Sequence, residues 1–70
     1  MPLVILCEKE KTIYIIHSPE SWFTATELEN ELKEQYPSYN IVRLNRGVEE
    51  EDKLADKIIE EAEEKGCQIR

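Results

Sequence analysis

The chain has 70 residues, 40% hydrophobic and 36% charged, with sixteen acidic against nine basic side chains and a net charge of −7. That balance argues against nucleic acid or an anionic membrane as partner, since both need a cationic face. The length suits one domain, residues 1–70, close to the size below which a core rarely supplies more than roughly 3–5 kcal/mol.

Leu3-Val4-Ile5-Leu6-Cys7 is a continuous aliphatic run, and Ile13 to Ile16 is another. Both are short and rich in branched residues, which predicts buried strands. The first run also ends on a cysteine, but it lacks the basic flank and the length of a signal segment. No stretch is apolar for long enough to span a bilayer. Glu8-Lys9-Glu10-Lys11 separates the runs without Gly or Asn. A four-residue hairpin loop fits there better than a tight primed turn. The two strands are therefore expected to be antiparallel neighbours.

Thr24 and Glu27 have the spacing of a capping box, and Phe23 and Leu28 that of a hydrophobic staple. They predict a helix from Thr24, with Leu28, Leu32 and Tyr36 on one face and Pro37 as its stop. Ser18-Pro19 offers a competing start, with a short turn at residues 19–22. Trp22 and Phe23 are expected to plug one end of the core, and Tyr36 and Tyr39 to cover the other. Ile41 to Leu44 reads as a third strand, on which Arg43 is expected to face solvent.

Asn45-Arg46-Gly47 then forms a loop, and a second helix runs from Glu49 to Lys65. Leu54, Ala55, Ile58, Ile59 and Ala62 make its apolar stripe. Glu49, Glu50, Glu51 and Asp52 complement its positive end, and Gly66 supplies the left-handed residue that closes it. Cys67 to Arg70 leaves room for a short edge strand.

The expected fold is a small two-layer α/β domain of order β-β-α-β-α-β: an antiparallel hairpin followed by parallel βαβαβ crossovers. Crossovers stepping one way along the sheet place both helices on one face. The first two strands are apolar on both faces, so the other face would be open and closed by a symmetric homodimer. One helix on each face is the alternative. The two cysteines, with no Cys-x-x-Cys spacing, are expected to be reduced, buried and cytoplasmic.

Ligands of open α/β sheets gather beyond the carboxyl ends of the parallel strands. Those ends carry His17, Ser18, Glu20, Trp22 and Arg46, the candidate ligand- or partner-binding residues. His17 could act as a base for Ser18 or Ser21 with Glu20 orienting it, yet no nucleophile-elbow pattern accompanies them. The spacing of acids, histidine and cysteines predicts no metal site, and no fingerprint predicts a cofactor.

Ile13 to Leu28 resembles the strand–turn–helix of glutaredoxin-like proteins. Ser21-Trp22-Phe23-Thr24 stands where those proteins carry Cys-x-x-Cys. The resemblance implies a shared local shape without thiolate chemistry in that window.

The leading expectation is a non-enzymatic interaction module. It would be a small acidic regulator or inhibitor of viral or mobile-element type, with a protein partner or a second copy of itself. The competing readings are a minimal ligand-binding or catalytic domain built on residues 17–22, and an artificial scaffold.

Overall fold

A computed structural model describes residues 1–70. Strands β1 (Leu3–Cys7) and β2 (Thr12–His17) pair antiparallel, with Ile5 opposite Tyr14. The four-residue loop forms as expected, closed by the Lys11 N–H donating to the Glu8 carbonyl at 3.2 Å. It ends on Lys11 at φ 53°, in the left-handed region that costs an ordinary side chain about 1–2 kcal/mol.

After β2 the chain makes a 3₁₀ turn, Pro19–Ser21, and runs straight into helix α1 (Trp22–Gln35). The start predicted at Thr24 is corrected by this geometry. Proline at the first position already sets φ for a helical turn, so Thr24 and Glu27 lie inside the helix. The orphan N–H groups that their capping box would satisfy do not arise there, and no side-chain cap bond forms. Ala25, Leu28, Leu32 and Tyr36 line the buried side, which keeps the predicted stripe.

β3 (Asn40–Asn45) follows, parallel to β2, with Ile13 opposite Ile41 and His17 opposite Asn45. Helix α2 (Glu49–Lys65) ends on Gly66 at φ 76°, the left-handed closure read from the sequence. Its buried stripe is Ala55, Ile58 and Ala62, with Ile59 packed beside it. Leu54 is 44% exposed and leaves the predicted stripe.

The last strand, β4 (Gln68–Ile69), pairs antiparallel with β1, giving the sheet order β3-β2-β1-β4. The sheet is therefore mixed, and the expected one-way βαβαβ walk is corrected. The chain steps outward from β2 to β3, then returns across β2 and β1 to reach β4. With right-handed crossovers, reversing the direction of travel moves the helix to the opposite face. The apolar residues divide accordingly. Val4, Leu6, Ile13 and Ile15 pack with α1, and Ile5, Cys7, Ile16 and Leu44 pack with α2.

The architecture is thus three layers, helix–sheet–helix, instead of two. No apolar sheet face stays open, which removes the premise of the face-to-face homodimer. Ile5, Ile13 and Ile15 are wholly buried, each side chain contributing about 1.5–3 kcal/mol by transfer from water.

Candidate functional site

β2 and β3 run parallel, so their carboxyl ends bring the His17 and Arg46 loops side by side. The backbone joins them directly, through the Arg46 N–H donating to the His17 carbonyl at 2.8 Å. Gly47 packs so closely on Pro19 that a Cβ at position 47 would overlap the proline ring. The loops abut, and the side chains they carry go to opposite faces of the sheet.

His17 continues the Ile13–Ile15 alternation and lies under α1, 4% exposed. Its Nδ1 stands 2.9 Å from the Ser18 carbonyl, and its Nε2 stands 3.3 Å from Arg43 Nη2. A carbonyl only accepts and a guanidinium only donates, so the ring carries its proton on Nδ1 and accepts at Nε2. Ser18 Oγ lies instead with Glu20 Oε2 at 3.1 Å and Ser21 Oγ at 3.2 Å. The base–nucleophile pairing of His17 with Ser18 or Ser21 is therefore not made, because each group is committed elsewhere.

Arg43 is the residue that sequence reasoning missed. It was expected to face solvent, and it lies half-buried between β3 and α1. Nη1 donates to Thr26 Oγ1 at 2.8 Å and to Glu29 Oε1 at 3.4 Å; Nη2 donates to the Trp22 carbonyl at 3.2 Å. One guanidinium therefore fastens β2, β3 and the first turn of α1, using the planar fork that suits arginine to such a junction. The signal was available in the strand alternation: Arg43 shares its face with partly buried Ile41, and its neighbour on β2 is the wholly buried Ile15.

Arg46 points to the other face. Its Nη1 meets Asp52 Oδ1 at 2.7 Å and Asp56 Oδ1 at 3.1 Å on α2. Those bonds, Asp52's first, push the guanidinium pKa up. Glu51 of the same acidic run accepts the Asn45 N–H at 2.8 Å. The acidic first turn of α2 thus serves its own loop, and the Gly47 N–H is taken by Asn45 Oδ1 at 2.8 Å.

Trp22 and Phe23 do not plug the core. They are 56% and 64% exposed, with their rings edge to face at 6.2 Å and 77°. The earlier start of α1 explains this: it rotates both residues onto the outer side and gives the inner position to Ala25. Glu20 is exposed beside them. Of the five candidates, the structure gathers His17, Ser18, Glu20 and Trp22 at the head of α1 and sends Arg46 away.

A groove of about 730 Å³ lies at the opposite end of the sheet. Leu6, Glu8, Lys9, Glu64 and Gln68 line it around a disulfide between Cys7 and Cys67. The expectation of two free buried thiols is corrected. Antiparallel pairing of β4 with β1 brings residues far apart in sequence to a Cα separation of 4.8 Å, within the range a disulfide needs. The argument from free thiols to a reducing compartment falls with it.

In the wall of this groove Lys65 Nζ reaches Glu10 Oε2 at 2.5 Å. The hydrogen bond and charge of Lys65 hold the Glu10 carboxyl below its ordinary range, and Glu10 raises Lys65 in return. Tyr14 is raised by burial and then by Glu10. Nowhere do three or more His, Cys, Asp or Glu side chains gather as a metal would need. No helix is long and apolar enough to cross a membrane. No family model, curated protein or solved structure matches this chain.

Proposed function

We propose that this chain is a non-enzymatic protein-interaction module, a small acidic regulator or inhibitor that docks a basic partner protein through the Trp22–Phe23 edge. The observation that carries this reading is the pair of exposed rings at the head of α1. Aromatic side chains dominate binding energy at interfaces because they bury large areas at low entropic cost. These two stand on a helix start that Arg43 ties to β2 and β3. The platform is therefore ordered before the partner arrives, which lowers the entropic cost of association. The net charge of −7 selects a basic partner by steering and rejects acidic ones.

Trp22 is the only tryptophan, so its emission reports docking at this edge without a label. Peptides of net positive charge carrying an apolar anchor, selected for binding to the intact chain, are expected to shift Trp22 emission to the blue. They should bind the Trp22→Ala/Phe23→Ala variant at least tenfold more weakly. Selected binders that leave the emission unchanged and bind the double variant equally well would defeat the reading.

A further inference from the structure

β4 is held differently from every other strand. Gln68 and Ile69 are both exposed, as is Arg70, so the strand buries no side chain of its own. Its ladder to β1 is short. The Val4 N–H donates to the Arg70 carbonyl at 3.3 Å, the Arg70 N–H donates to the Val4 carbonyl at 2.8 Å, and Gln68 pairs with Leu6. A two-residue strand without core contacts is marginal by itself, and segments with so few buried contacts open at little free-energy cost. Its remaining anchor is the Cys7–Cys67 bond, one residue before the strand begins.

What β4 covers is substantial by comparison. β1 is buried along Val4–Cys7, and the antiparallel register turns the N–H and C=O groups of Val4 and Leu6 outward, to β4. With β4 released, those groups become an open strand edge, the kind of surface that templates pairing with another strand.

We propose that Cys7–Cys67 is a thiol-cleavable site and that β4 is a redox-controlled cover over the outer edge of β1. The two cysteines line the 730 Å³ groove, a volume in the range that admits a small-molecule ligand. Cys7 is the more buried of the two, so the accessible electrophile is Cys67 Sγ. A thiolate of a low-molecular-weight dithiol attacks Cys67 Sγ and forms a mixed disulfide. The Cys7–Cys67 bond breaks, and its electron pair departs on Cys7 Sγ, which takes up a proton. The second thiolate of the dithiol then attacks its own sulfur in the mixed disulfide. Cys67 leaves as a thiolate and is protonated, and the reductant departs as a cyclic disulfide. Two electrons pass to the protein, and a disulfide oxidant reverses the sequence.

The test uses the intact chain with dithiothreitol as the probe, in sucrose, which raises global stability by exclusion from the surface. β4 gains little from this because it buries nothing. Alkylation should label both cysteines under native conditions. Amide exchange at Val4 and Leu6 should accelerate at least tenfold more than exchange at Ile5, Ile13 and Ile15, which share only the general loss of stability. A Cys7→Ser/Cys67→Ser variant should show the reduced pattern and ignore dithiothreitol. Three results overturn the proposal: cysteines that label only after denaturation, Val4 and Leu6 amides unchanged by reduction, or all amides accelerating by the same factor. The last would show that reduction loosens the fold evenly and does not release β4.

Discussion

Under α1 the apolar cluster is closed by hydrogen bonds, with Arg43 joining His17, Thr26, Glu29 and the Trp22 carbonyl. Under α2 it is closed by a covalent bond, Cys7–Cys67. The same sheet thus has two faces finished by different chemistry, and the connections explain why. α1 links adjacent strands, so its first turn lies within reach of a β3 side chain. α2 carries the chain back across two strands to the far edge and delivers only a two-residue strand there. A hydrogen-bonded junction suffices for the short crossover, whereas the long one ends on a strand with no apolar anchor and is tied covalently. A polar fastener also leaves neighbouring rings free to face outward, as Trp22 and Phe23 do.

The largest effect tests whether both faces are needed. Leu32 under α1 and Ile58 under α2 are buried, and an unpaired buried carboxylate costs an amount comparable with the stability of so small a domain. Leu32→Asp and Ile58→Asp should each abolish the cooperative thermal transition by circular dichroism. If one of them unfolds like the parent, that face is not closed as described.

Next comes the covalent fastener. The disulfide spans a sequence separation of 60, and a loop of that size restricts the unfolded chain by up to about 4 kcal/mol. Cys67→Ser should lower the urea midpoint accordingly. The polar fastener should rank below it: Arg43→Met leaves the His17 Nε2 acceptor unpaired, a loss of about 1–3 kcal/mol. It should also change the emission of Trp22, which Cys67→Ser should leave as it is. Urea titrations that reverse the order would show that the hydrogen-bonded face is the more dependent one.

The smallest effect is electrostatic and lies near the disulfide. The lowered Glu10 carboxyl contributes stability above the ordinary carboxylate range, lost as pH falls through its folded-state value. The raised Lys65 contributes below the ordinary lysine range, lost as pH rises through its folded-state value. Both groups are solvent-exposed, so the effect is small and screened by salt. The difference in Tm between the parent and Glu10→Gln should be greatest near neutral pH and vanish in acid. Glu61 is exposed on α2 beside Tyr14 and Lys65, and Glu61→Gln should shift Tm less than Glu10→Gln under the same conditions. A Glu10→Gln difference that persists in acid would assign the effect to packing.

Strand and helix positions were legible wherever the apolar pattern had one period. The aliphatic runs, the Leu28–Leu32–Tyr36 stripe, the Ala55–Ile58–Ala62 stripe and the Gly66 closure all stand where the pattern puts them. The head of α1 was misread because two local signals competed: a capping box at Thr24 and a proline start at Pro19. The proline prevailed because its fixed φ begins the turn before Thr24 is reached. That displacement moved Trp22 and Phe23 from core to surface, and Arg43 was misread because its role depends on the helix that lies over it.

By itself the sequence determined the elements, their order and the side of each helix that faces the sheet, because those follow from residue spacing along one chain segment. It also marked β1 as a strand apolar on both faces, the mark of a strand with layers above and below. Only the tertiary structure decided where β4 docks. The side of the sheet on which α2 returns follows from the direction of the crossover, which no local pattern encodes. Pairing β4 with β1 then set the third layer, the Cys7–Cys67 bond and the absence of an open sheet face.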